Sequence, residues 1–138
     1  MFAPAVRFTV LLNRPFSATM AFVTSVLIVD DHPSFRASAR AILEAEGFDV
    51  VGEVDDGASA LAAAHSLEPD VILLDVQLPD TTGFEICELL CANARRPEIV
   101  LVSTRDAADY DDLIRQSHAR GFISKADLSG EAVRELLA

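Results

Sequence analysis

The sequence predicts one doubly wound α/β domain, a five-stranded parallel sheet with helices on both faces. Three observations carry this expectation. Short aliphatic runs alternate with helical patterns five times. The runs are apolar at successive positions instead of alternate ones, as strands covered on both faces require. Finally, 138 residues with 51% hydrophobic and 24% charged side chains suit a single globular unit that buries its core without disulfides.

Val26-Leu27-Ile28-Val29 is the first run, rich in β-branched residues, and Asp30-Asp31 end it. Pro33 suits a first helical turn and opens a segment with Phe35, Ala39, Ile42 and Leu43 at helical spacing, which Gly47 stops. Val50–Val54 reads as the second strand and Asp55-Asp56-Gly57 as its turn. An alanine-rich helix with Leu61, Ala64 and Leu67 ends before Pro69. Val71-Ile72-Leu73-Leu74 is the most apolar run, terminated by Asp75. The loop from Gln77 to Gly83 leads into a helix through about Ala94. Ile99–Val102 forms the fourth strand, capped by Ser103. A helix with Tyr110, Leu113, Ile114 and Ser117 follows, broken by Gly121. Phe122-Ile123-Ser124 is the fifth strand, closed by Lys125, and Glu131–Leu137 a brief last helix. Right-handed crossovers complete the winding.

Charge narrows the function classes. Residues 1–24 hold Arg7, Arg14 and no acid, so residues 25–138 carry nine basic against twenty-two acidic side chains, a net of −13. Such a body repels nucleic-acid phosphates and anionic membrane surfaces, so neither direct nucleic-acid binding nor membrane binding is expected. No stretch reaches the apolar length of a membrane span, and the run Phe8–Leu12 is too short for a signal-peptide core. Residues 1–24 are expected to be a poorly ordered extension, with Met20 an alternative start, and residues 25–138 the domain. A cytoplasmic location is the default expectation. Cys87 and Cys91 are too few for a disulfide framework or a zinc site; their i, i+4 spacing puts them on one helix face with Phe84, Leu90 and Ala94, as packing thiols.

The strand ends carry the chemistry. Doubly wound sheets bind ligands outside the carboxyl ends of their strands. Asp30-Asp31, Asp75, Ser103 and Lys125 follow the first, third, fourth and fifth strands, so three carboxylates, a hydroxyl and an ammonium converge on one edge. Carboxylates so crowded repel, and one takes up a proton unless a cation intervenes. Mg²⁺ suits such a site, because it binds through one or two carboxylates and completes its shell with waters and phosphate oxygens. Lys125 and Ser103 can hold phosphoryl oxygens, and an ionised aspartate can act as nucleophile to give an acyl phosphate.

These residues and their order resemble the receiver domains of two-component response regulators over residues 25–138. The run Val-Leu-Ile-Val-Asp-Asp-His-Pro at 26–33 looks like the branch attached to helix-turn-helix output domains. Asp-Val-Gln-Leu-Pro at 75–79, with Gly83 eight residues after Asp75, is similar to the phosphorylation loop, and Ser103, Gly121-Phe122 and Lys125 follow in order. The resemblance implies a flavodoxin-like sheet of order 2-1-3-4-5. It implies Asp75 as phosphoacceptor, Mg²⁺ held by Asp30, Asp31, Asp75 and the Gln77 backbone carbonyl, and Lys125 on the phosphoryl group. Ser103 and Phe122 would couple the site to the surface of the fourth helix, fifth strand and fifth helix. It further implies a histidine kinase or histidine phosphotransfer protein as donor and a downstream protein target.

Thr104, Ser124 and Ala126 depart from the family pattern, which generally has a small residue, an aliphatic residue and a proline there; Thr104 is expected to restrict access to Asp75. His32 reads as a routine residue of the opening turn, and His65 and His118 as surface residues. Arg95-Arg96 reads as a helix end before Pro97. A phosphohydrolase similar to the haloacid dehalogenase superfamily needs a second aspartate two residues after its nucleophile, where Gln77 stands. The chain as given carries no basic helix-turn-helix segment, so the expectation is a stand-alone switch acting through protein contacts, with a regulator lacking its output domain as the alternative.

Overall fold

A computed structural model describes residues 23–92 and 96–138; the expected extension through residue 22 and the helix end near Ala94-Arg95 fall outside these. The strands are β1 (Ser25–Val29), β2 (Asp49–Val54), β3 (Val71–Asp75), β4 (Glu98–Ser103) and β5 (Gly121–Ser124), and the helices α1 (Pro33–Ala45), α2 (Gly57–Leu67), α3 (Gly83–Cys91), α4 (Asp111–Gln116) and α5 (Gly130–Leu137). The sheet is parallel throughout, ordered β2-β1-β3-β4-β5. The expected fold class is borne out.

Because successive strand residues point to opposite faces, the central strands feed two cores. Val26, Ile28, Leu73, Val100 and Val102 pack with Ala39 and Leu43 of α1 and Val133 of α5. Leu27, Val29, Ile72, Leu74 and Leu101 pack with Ala60 of α2 and with Ile86, Cys87 and Leu90 of α3. Burial pushes the Cys87 thiol up to about 12, with Cys91 adding to the rise, so it packs as a hydrophobe and forms little thiolate at neutral pH.

At the edge where the strands begin, Asp70 Oδ2 accepts from the Ser25 N–H (2.8 Å) and the Ser25 hydroxyl (3.1 Å), clasping the start of β1 to that of β3. At the same edge Gly47, at φ +92°, turns the chain out of α1 toward β2, as expected of a C-terminal glycine.

The helix expected with Tyr110, Leu113, Ile114 and Ser117 is the six-residue α4, which follows a 3₁₀ turn (Ala107–Tyr110) and buries no residue. Its acids explain its shortness. Asp106 and Asp109 cap the 3₁₀ turn reciprocally, and Asp111 and Asp112 leave no apolar stripe to bury, so packing does not lengthen the helix. The Ser117 hydroxyl donates to the Ile114 carbonyl at 2.7 Å where α4 ends. Ser124 ties across the loops by donating to the Arg105 carbonyl (3.3 Å), which accounts for a polar residue at a strand position.

Leu73 is 1% exposed in the first core. Leu73→Ala should therefore destabilise the domain by about 2–5 kcal/mol in urea unfolding, with little change in the denaturant slope.

Candidate functional site

The carboxyl ends of β1, β3 and β4 and the residue after β5 meet at one rim. Asp30 follows β1 and is fully buried; Asp75 ends β3 and is 3% exposed. Lys125 begins a 3₁₀ turn after β5 and reaches inward between them. Its Nζ lies 2.6 Å from Asp30 Oδ2 and 3.2 Å from Asp75 Oδ2, and 4.5 Å from the centroid of the Phe35 ring of α1. One ammonium thus serves two buried carboxylates, with an aromatic face against its other side.

The remaining acids and ligands sit around this core. Asp31 stands at the rim with its side chain 37% exposed, and His32 Nδ1 lies 3.0 Å from Asp30 Oδ1 and 3.2 Å from Asp31 Oδ1. The His32 N–H donates to Asp30 Oδ1 at 2.8 Å, and Arg36 donates to the Asp30 carbonyl at 2.7 Å while pairing with Glu53. The Gln77 N–H donates to Asp75 Oδ1 at 3.2 Å. Ser103 ends β4, buried beside the rim, and its hydroxyl accepts the Arg105 N–H at 3.1 Å. Thr104, next to it, is exposed. Phe122 stands off the acids in an aromatic row, 6.1 Å between centroids from Tyr110, which lies 5.7 Å from Phe84.

Backbone geometry around Asp75 explains Gly83. A Cβ at position 83 would come within 2.5 Å of the Asp75 carbonyl oxygen, so only glycine lets the β3–α3 loop close, with the Gly83 N–H donating to the Val76 carbonyl at 2.7 Å. The same loop is anchored to α2. Asp80 accepts the Gly57 and Ala58 N–H groups at 2.8 and 3.1 Å, occupying the positive end of that helix from a distant part of the chain. The Gly57 bond, foremost, holds the Asp80 carboxyl below its ordinary range. Gly57, read from sequence as a turn residue, is instead the first residue of α2, where a Cβ would meet Thr81 at 2.4 Å.

The rim is short of positive charge. Asp75 is pushed up from 3.8 to about 6, first by burial and then by the Asp30 charge, against the opposing pull of Lys125 and the Gln77 N–H. Asp30 Oδ2, although at ion-pair distance from Lys125, makes no hydrogen bond of acceptable geometry. Both observations fit a divalent cation with oxygen ligands. Asp30, Asp31, His32 and Asp75 each offer a ligand atom, all within 4.8 Å of one another.

The structure therefore brings Asp30, Asp75 and Lys125 into contact, with Asp31, Gln77 and Ser103 bordering them and Phe122 set apart in its aromatic row. Sequence reasoning missed the contacts of His32, the brace from Arg36, the Phe35 ring beneath Lys125 and the Asp80 cap. Only His32, adjacent to the acidic pair, carried a local signal.

Residues 26–136 match the family model of the response regulator receiver domain. The chain is similar to the DNA-binding response regulator MtrA of Mycolicibacterium smegmatis, with 38% identity over 84 residues covering 61% of this chain and 36% of that protein. It is also similar to the positive transcription regulator BvgA of virulence factors in Bordetella pertussis, with 31% identity over 108 residues, 78% of this chain and 52% of that one. Among solved structures it is similar to the signal receiver domain of the response regulator NarL from Mycobacterium tuberculosis, at 32% identity and a TM-score of 0.74, covering 83% of this chain and 94% of that chain. The chain spans about half the length, or less, of these curated relatives.

The elevated Asp75 pKa gives a signed prediction. Between about pH 4 and 6 the folded state keeps a proton that the unfolded state has lost, so this residue's contribution to stability falls as pH rises through that window and stays low above it. At pH 7.5 in chelator, Asp75→Asn should be more stable than the natural chain, by up to about 3 kcal/mol. That advantage should vanish as pH approaches 4 in urea titrations.

Proposed function

Because the chain belongs to the response regulator receiver family of two-component signalling, we propose that it is a phosphoryl-accepting switch whose nucleophile is Asp75. The observation that carries this reading is the buried Asp75 carboxylate, 3.2 Å from Lys125 Nζ and crowded by Asp30. With its pKa about 6, Asp75 is largely ionised at neutral pH, yet its charge is poorly compensated. Transfer of a phosphoryl group gives that charge a covalent partner.

In the proposed step one Asp75 carboxylate oxygen attacks phosphorus and the P–N bond to the donor imidazole breaks. The bonding pair leaves with the ring nitrogen, which takes a proton. Attack by water on the resulting mixed anhydride restores the carboxylate and releases inorganic phosphate. Lys125 follows the charge from the carboxylate to the phosphoryl oxygens. The Gln77 N–H orients Asp75, and the buried Ser103 hydroxyl, which keeps its own proton while accepting from Arg105, donates to a phosphoryl oxygen. Asp30, Asp31, Asp75 and the Gln77 carbonyl would hold Mg²⁺, which neutralises phosphoryl charge and orients the donor when bound.

The signal passes through Ser103 to Phe122, which Tyr110 contacts, and so to the surface of α4, β5 and α5. The donor is a histidine kinase or a histidine phosphotransfer protein. The net charge of −13 over residues 25–138 favours a protein target over direct contact with nucleic acid. We read residues 25–138 as a cytoplasmic receiver domain behind the extension 1–24, a self-modifying switch and not a multiple-turnover enzyme.

Incubation with acetyl phosphate and Mg²⁺ should add one phosphoryl group by intact mass. Asp75→Asn or chelation should abolish the addition, and Lys125→Ala should slow it by at least about tenfold. Equal yield from the Asp75→Asn protein would exclude Asp75 as the acceptor.

A further inference from the structure

The β3–α3 loop is held in two different ways. Its base is stitched to itself: the Gln77 and Thr82 backbones pair antiparallel, and the Leu78 N–H donates to the Thr81 carbonyl at 3.1 Å. These bonds keep the shape of the turn but leave its tilt against the rim unset. The tip supplies that. Asp80 Oδ1 accepts the Gly57 N–H at 2.8 Å and Oδ2 the Ala58 N–H at 3.1 Å, so one carboxylate spans from the loop to α2.

Helix capping alone does not account for this arrangement. α2 has a cap of its own in Asp56, whose side chain accepts the Ser59 N–H at 2.7 Å. Asp80 arrives from 23 residues beyond Gly57 and takes the two N–H groups ahead of that one. The helix also begins on glycine, where a Cβ would stand 2.4 Å from Thr81 and 2.9 Å from Ile86. A poor helix former thus occupies the position where only glycine lets the loop tip close against the helix.

At the other end of the same turn, the Gln77 N–H donates to Asp75 Oδ1 at 3.2 Å, while Asp75 Oδ2 faces Lys125. Because Gln77 and Thr82 are paired, a swing of the tip between them carries the Gln77 N–H with it. Misplacing a reacting group by about 1 Å can cost up to about a hundredfold in rate.

We propose that Asp80 is a positioning residue for phosphoryl transfer. By seating the loop tip on the N-terminus of α2, it sets the angle at which the Gln77 N–H holds the Asp75 carboxylate. The inference rests on the reading of Asp75 as acceptor and adds which residue keeps that carboxylate aimed. Asp80 touches neither the phosphoryl group nor its donor and acts through Gln77.

Acetyl phosphate with Mg²⁺ is the probe: an Asp75 oxygen attacks phosphorus, the P–O bond to the acetyl group breaks, and acetate leaves with the bonding pair. Initial rates are read by intact mass across acetyl phosphate concentrations for the natural chain, Asp80→Ala, Asp80→Asn and Asp56→Ala. Each is checked for folding by circular dichroism. Asp56→Ala is the control, since it removes a cap from the same helix and leaves the loop untouched. We expect Asp80→Ala to lower the maximal rate by about tenfold, with half-saturation unchanged within about twofold. Asp80→Asn, which keeps one acceptor oxygen, should lower it by about threefold. Asp56→Ala should keep its rate within about twofold of the natural chain while losing stability to urea. Hydrogen exchange at the Gln77 amide should quicken in the Asp80 variants and not in Asp56→Ala. An Asp80→Ala rate equal to that of Asp56→Ala, a change confined to half-saturation, or unaltered Gln77 exchange reduces Asp80 to a helix cap and overturns the proposal. Should Asp80→Ala not fold, Asp80→Asn decides by the same comparison. A natural chain that takes no phosphoryl group, or an Asp75→Asn chain that takes it equally, overturns the acceptor reading and this proposal with it.

Discussion

Everything distinctive about this molecule follows from two carboxylates taken out of water within reach of one ammonium. Burying an unpaired charge is far more costly than burying a paired one, and here Lys125 must divide itself between Asp30 and Asp75 at 2.6 and 3.2 Å. The division is incomplete, as the raised Asp75 pKa and the unsatisfied Asp30 oxygen attest. The rest of the sheet is arranged to hold that imbalance in place. The aliphatic cores on both faces exclude solvent from below, α1 lays the Phe35 ring against Lys125, and Arg36 fixes the Asp30 backbone. A site that is under-neutralised at rest is one that a cation or a phosphoryl group changes strongly, because the stabilisation available on binding is largest where the resting charge is worst compensated.

Much of this was legible in the sequence, and the reason is local. Continuous aliphatic runs such as Val71–Leu74 report burial on both faces without any knowledge of what covers them. Parallel topology then sends the residues after the runs to a common edge, so the pattern of runs alone groups Asp30, Asp75 and Lys125. Gly47 likewise announced the end of α1, because a positive φ is a property of one residue.

What stayed hidden depends on partners distant along the chain. Asp80 is an ordinary loop acid until Gly57 and Ala58 arrive to be capped by it, and Gly57 is an ordinary turn glycine until Thr81 crowds it. Gly83 was singled out by family pattern, but its cause is the Asp75 carbonyl 2.5 Å from where a Cβ would stand. The shallow packing of α4 stayed hidden for a different reason: Tyr110, Leu113 and Ile114 have helical spacing, but Leu113 is 49% exposed and the neighbouring aspartates deny the segment a buried stripe. Spacing alone does not distinguish an apolar residue that packs from one that is left in solvent.

The clasp between Ser25 and Asp70 has a practical corollary for anyone handling the molecule. It fastens β1 at the end of the sheet remote from the acidic rim, so Thr24, just ahead of the clasp, lies at the far pole. A fluorophore placed at that position stands a full strand length from Asp30. The opposite terminus is different ground: Arg120 grips the carbonyls of Leu136 and Ala138. Cargo fused after α5 would therefore pull on a bond that links directly to the residue before β5.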